Sequence, residues 1–146
     1  MSREVEQRNR AMLRARDAMD RRFAEPLDVP GLASIAHVSP AHFIRTFRAT
    51  FGETPHRYLQ RRRIERAMAM LCSTDLSVTE VCMAVGFSSL GTFSRTFREV
   101  VGQSPRDYRA THPHVDRVPT HFSMAWTRPS SLGSAVSEKR DGDVAP

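Results

Sequence analysis

The chain has 146 residues, 40% of them hydrophobic, enough for one compact domain or two very small ones with a real core. It carries 21 Arg and one Lys against 16 Asp and Glu, for a formal net charge of +6 and a pI near 10.5. That balance points to an anionic partner, nucleic acid ahead of a membrane surface, and no apolar run is long enough to span a bilayer as a helix.

The N-terminal stretch MSREVEQRNR is charged throughout and lacks a signal-peptide core. The first helix is expected over 8–24, with Met12, Ala15, Met19 and Phe23 on one stripe and Pro26 beyond its end. A second covers 29–36, with Pro30 in its first turn. Ser39-Pro40 then reads as an N-cap and first helical residue, opening a third helix that runs to Phe51 and is closed by Gly52. Phe43, Phe47 and Phe51 recur every four residues and are expected to face the core.

Thr54-Pro55 repeats the cap-plus-proline start. The fourth helix is long, over 55–71, with Tyr58, Ile64, Ala67, Met68 and Leu71 on its buried side and Arg57, Arg61, Arg62, Arg63 and Arg66 making it strongly basic. A fifth helix covers 78–85 and stops at Gly86. A sixth starts near Ser89, buries Phe93 and Phe97, and closes at Gly102. Ser104-Pro105 caps a seventh to about residue 110. With no run of alternating β-branched residues, the expectation is an all-α fold of seven helices. Cys72 and Cys82 lie inside apolar helical patterns and read as buried free thiols of a reducing compartment, hence a cytoplasmic location. From residue 111 the pattern dissolves. The polar, proline-containing stretch 130–146 reads as disordered, and 121–129, which holds the single Trp, has no assigned role.

An internal repeat organises this order. Residues 43–58 (FIRTFRATFGETPHRY) laid over 93–108 (FSRTFREVVGQSPRDY) match in eight of sixteen columns. The second and fifth helices align at an offset of 49 and the third and sixth at 50, so the second turn holds one extra residue near Ser88-Ser89. Helix, tight turn and a second helix with a polar N-terminal face is the helix-turn-helix pattern. Its free face comprises Ala41, Ile44, Arg45 and Arg48 in the first unit, behind the cap Ser39, and Leu90, Gly91, Thr92 and Arg95 in the second, behind Ser89. Arg suits bidentate contact to guanine, and Thr, Ile or Leu suit a thymine methyl. Arg61, Arg62 and Arg98 are candidates for phosphate contact.

These residues resemble the DNA-binding domain of the AraC/XylS family of bacterial transcription regulators. The resemblance rests on Val85-Gly86-Phe87-Ser88, Phe93-Ser94-Arg95-Thr96-Phe97-Arg98 and Gly102-Gln103-Ser104-Pro105-Arg106-Asp107-Tyr108, and covers about 8–110. It implies two helix-turn-helix units, 8–52 and 77–110, joined by a linker helix over 55–72, with 111–146 as a tail. It further implies base contacts through Ala41, Ile44 and Arg45 and through Leu90, Gly91, Thr92 and Arg95. The chain looks like the family's short members that act as monomers and lack an effector domain. The resemblance implies a sequence-specific regulator of double-stranded DNA, an activator that touches RNA polymerase. His37 departs from the family pattern, which favours glycine there, and Leu90 and Gly91 are poor hydrogen-bonding readers, so the second unit is expected to lean on Arg95, Thr92 and DNA shape.

Other readings compete with less support. Phe43, Phe47, Phe93 and Phe97 at helical spacing are core residues rather than base-stacking platforms. His112, His114 and His121 lack the companions of a metal site, and no cofactor is expected. An architectural nucleoid protein ignores the two matched free faces. An enzyme, such as a recombinase or a DNA-repair methyltransferase fragment, lacks a catalytic constellation.

Overall fold

The structure, a computed structural model, describes residues 2–113. The expectations for residues 114–146, His114 and His121 included, lie outside that span. The described residues form helices α1 (Arg3–Arg21), α2 (Val29–Ile35), α3 (Pro40–Phe51), α4 (Pro55–Ser73), α5 (Val78–Ala84), α6 (Leu90–Val101) and α7 (Pro105–Thr111), with no strand among them. The fold is all-α, as the periodicity predicts.

The starts of these helices follow from capping chemistry. Side-chain oxygens of Ser2, Asp28, Ser39, Thr54, Ser77, Ser89 and Ser104 accept a backbone N–H from the first turn of the helix that each precedes. At Ser77 the cap is reciprocal, because Glu80 accepts the Ser77 N–H in return. The Ser2 cap and the first-turn acids Glu4 and Glu6 also explain why α1 begins five residues before its apolar stripe predicts.

The described residues fall into two compact units, divided within α4 after Arg62. In the first, α1 packs on α2 and α3, and α2 on α3. Its core holds Met12, Ala15, Met19, Leu32, Phe43 and Phe47. In the second, α6 packs on α5 and α7 around Ile64, Leu71, Val81, Val85, Phe93 and Phe97. Burying a large apolar side chain of this kind stabilises by roughly 1.5–3 kcal/mol.

The repeat survives in packing geometry. Ring centroids of Phe43 and Phe47 are 5.6 Å apart at 51°, and those of Phe93 and Phe97 are 5.8 Å apart at 52°. Phe47 meets Tyr58 at 5.6 Å and 73°, and Phe97 meets Tyr108 at 5.7 Å and 70°. Thr46 and Thr96 are buried at the matching step. Each unit thus builds its second helix on the same edge-to-face aromatic stack.

The turns before those helices are also matched. The Val38 N–H reaches the Ala33 carbonyl and the His37 N–H that of Ser34. Phe87 and Gly86 do the same to Cys82 and Met83, at 3.1–3.2 Å throughout. Both are Schellman endings, which place one residue in the left-handed region. Gly86 takes that position at φ 98 and His37 takes it at φ 58. Four residues separate α2 from α3 and five separate α5 from α6, so the extra residue in the second turn is present. There the buried Cys82 thiol donates to the Ser89 carbonyl at 3.7 Å, a contact its counterpart Ala33 cannot make.

Several expectations from periodicity are corrected. Phe51 is half-buried, not core: it meets Phe47 on one side and lies 4.4 Å from the Arg16 guanidinium on the other. On α4, Met68 is half-buried, whereas Leu59 and Met70 are buried. The helix passes from one unit into the other, so no single stripe describes it. Cys72 is only partly buried, and both cysteines are free thiols.

Candidate nucleic-acid interface

With Phe43, Thr46 and Phe47 turned into the core, the helical period leaves residues 41, 44, 45 and 48 of α3 on the opposite side. Ala41, Ile44, Arg45 and Arg48 are all exposed, Ile44 at 38%. On α6, Phe93, Thr96 and Phe97 are buried, and Leu90, Gly91, Thr92, Arg95 and Arg98 are exposed, Leu90 at 44%. Large apolar side chains left partly exposed beside a basic residue suit contact with thymine methyl groups. Within each unit the predicted face residues share one surface.

The caps fix where that surface begins. Ser39 Oγ accepts the His42 N–H at 3.2 Å and Ser89 Oγ accepts that of Thr92 at 3.3 Å. Both serines are exposed. The first-turn N–H groups lie at the N-terminal end of each helix, where the helix dipole favours an anion.

The phosphate candidates divide. Arg98 is exposed on α6, one turn beyond Arg95. Arg61 and Arg62 are half-buried and engaged inside the first unit. Arg61 donates through Nε and Nη2 to Glu53, at 3.0 and 2.6 Å, with its guanidinium 5.2 Å from the Tyr58 ring centre. Arg62 donates to Asp20 at 3.0 Å, and the Tyr58 hydroxyl donates to the same oxygen at 2.7 Å. The two bonds to Asp20 tie the first half of α4 to α1, and the Glu53 contact ties it to the turn before α4. Burial, then the bond to Asp20, pushes the Tyr58 phenol up to about 12. Burial likewise lowers the Arg63 guanidinium below its usual range. The uniformly basic face expected of α4 is therefore partly consumed by internal pairing.

Two further residues adjoin the first reading face. An open groove of about 710 Å³ runs between α1 and α3, with Arg8 and Asn9 on one wall and His42, Arg45, Thr46 and Thr50 on the other. His42 aligns with Thr92 at the repeat offset of 50, a signal that marks it from sequence alone. Arg8 has no such marker, because its place depends on how α1 packs against α3. Among the described residues no group of three or more His, Cys, Asp or Glu is placed to hold a metal ion. No helix there is long and apolar enough to cross a membrane.

Known proteins are similar to this chain in sequence and in fold. A family model described as "Helix-turn-helix domain" matches residues 32–111. The regulator GbdR of Pseudomonas aeruginosa is 34% identical over 123 residues, covering 82% of this chain and 34% of its own length. The curated relatives are longer proteins, of which this chain spans from 13% to 37%. Among solved structures, an AraC-type transcriptional regulator of Chromobacterium violaceum superposes with a TM-score of 0.66 at 31% identity, over 70% of this chain and 92% of that one. The DNA-binding domain of the global transcriptional factor AdpA, in complex with a target DNA, gives 0.63 at 32% identity, over 71% and 91%.

Proposed function

The chain belongs to the AraC-type family of helix-turn-helix transcription regulators, and from that premise we propose that it reads double-stranded DNA by sequence, placing α3 and α6 in successive major grooves. The family is one of DNA-binding regulators and not of enzymes. One observation carries the proposal. Each unit presents an N-capped helix whose outward face holds an arginine at the same step of the repeat, Arg45 and Arg95, over an aromatic pair of matching distance and angle. A face held that rigidly can aim a guanidinium at a guanine edge. The AdpA domain, similar in sequence and fold, is seen on a target DNA.

In this reading Arg45 and Arg95 take bidentate contacts to guanine. Ile44 and Leu90 touch thymine methyls, and Thr92 hydrogen-bonds or packs at a neighbouring base. Ala41 and Gly91 keep side-chain bulk low where the helices approach the groove. The hydroxyls of Ser39 and Ser89, with Arg48 and Arg98, reach phosphates. Arg62 serves mainly to hold α4 against α1, and Arg61 to hold it to Glu53 in the turn before it. The reading divides the chain as 8–52, 55–72 and 77–110, with 111–146 as an appended tail, and has a single chain fill both half-sites. It further makes the protein a cytoplasmic activator that contacts RNA polymerase.

Selection from a random duplex library tests the proposal. A discrete enriched motif with two unlike halves is the expected result. Enrichment of nothing, with binding that tracks only length and salt, would favour an architectural protein instead.

A further inference from the structure

The groove between α1 and α3 is lined by basic and short polar side chains. Several arginines of the first unit are paired: Arg21 with Asp17 at 3.0 Å, Arg22 with Glu25 at 3.1 Å, Arg61 with Glu53 and Arg62 with Asp20. Arg8 and Arg45 line the groove with the imidazole of His42, and no carboxylate is among the lining residues. Among the described residues neither guanidinium is in an ion pair. The floor is made of short side chains, Thr46, Ala49 and Thr50, which keep the space open along α3. Two guanidiniums facing one cleft without a counter-charge raise its potential and attract an anion.

We propose that this groove seats a phosphodiester of the DNA backbone beside the first half-site, with Arg8 and His42 as its anchors. The inference rests on the DNA-reading proposal and extends it to α1, a helix outside the helix-turn-helix pair. Arginine's planar fork takes two phosphate oxygens at once, and a histidine ring N–H supplies a further donor. A groove of about 710 Å³ that is open along its length suits a continuous backbone passing through it better than a small free anion, which needs an enclosing pocket. Arg45 lies on both the groove wall and the reading face, so one side chain links the backbone seat to base recognition. The contact also fixes the angle at which α3 enters its groove, since phosphate contacts set register without reading sequence.

The test uses the full chain and the duplex obtained by selection. Each backbone phosphate is replaced in turn by an uncharged methylphosphonate, and affinity is measured as a function of salt. The parent is expected to lose affinity at a phosphate flanking the first half-site. Arg8→Ala should be insensitive to that replacement, with its salt slope smaller by about 0.9, so that raising salt from about 50 to about 200 mM costs it about 3.5-fold less affinity than it costs the parent. Arg8→Lys should restore most of the slope. Arg14→Ala, which removes an exposed charge elsewhere on α1, should keep the parent's methylphosphonate profile. His42→Ala should lose part of the sensitivity at the same position. Inorganic phosphate at matched ionic strength should not compete, and competition that vanished in Arg8→Ala would mark a free-anion site and overturn the backbone assignment. A parent that binds its site selectively, with an Arg8→Ala variant identical to it in slope and profile, would overturn the seat while leaving the DNA-reading proposal intact. A parent without sequence preference would bring down both.

Discussion

His37 occupies the left-handed position that glycine fills in the second unit, at φ 58 against φ 98 for Gly86. A β-carbon there costs about 1–2 kcal/mol. The side chain is exposed, so little packing is lost on removing it. Glycine gives back about 0.5–1 kcal/mol through the greater freedom of the unfolded chain. His37→Gly is therefore expected to stabilise by a few tenths to about 1 kcal/mol, seen as a melting temperature raised by a few degrees. A lower melting temperature would mean that His37 makes contacts outweighing its backbone strain. The Tyr58 phenol makes a second prediction. The folded protein holds this proton up to about 12, whereas the unfolded chain releases it near 10. The resulting stabilisation is complete below pH 10 and is lost as pH rises from 10 to 12. Tyr58→Phe should cost roughly 1 kcal/mol at neutral pH, for the lost bond to Asp20, and should flatten the alkaline limb in a pH series of denaturant melts. Some slope should remain, because burial, then the neighbouring Cys72, raises Tyr108 as well.

At the scale of the helices, the sequence was legible where local chemistry decides the outcome. Ser39-Pro40, Gly52, Ser104-Pro105 and Gly102 mark helix ends by capping and left-handed geometry, which depend on a few adjacent residues. Phe43, Phe47, Phe93 and Phe97 mark the buried face by period alone, and the exposed faces of α3 and α6 follow by exclusion. What stayed hidden depends on distant partners. Arg61 and Arg62 look like a solvated basic face until Glu53 and Asp20, 8 and 42 residues away, are brought against them. Phe51 keeps the four-residue spacing yet lies at the rim, under Arg16. The pairing of Arg8 with the α3 flank is likewise a product of packing. For the reading helices themselves, Arg45→Ala and Arg95→Ala should each weaken binding to the selected site by about 1–3 kcal/mol and relax preference at one base pair. Competition titrations against single-base variants of the site check this. Equal losses on specific and random duplexes would remove the base-reading role.

For the whole molecule, the proposal assigns two non-identical readers to one chain. Most of the segment between α3 and α5 is the 19-residue helix α4, not a Gly- and Ser-rich linker. At 1.5 Å per residue it is about 28 Å long, of the order of the roughly 34 Å that separates successive major grooves on one face of a duplex. Ala41, Ile44 and Arg45 differ from Leu90, Gly91, Thr92 and Arg95, so the two half-sites should differ and the operator need not be a palindrome. The most direct measurement is affinity and stoichiometry on the selected site before and after about five base pairs are inserted between its halves, which turns one half to the opposite face. The account predicts one chain per intact site and a fall toward nonspecific affinity on the lengthened one. Retained affinity, or two chains on the minimal site, would contradict it.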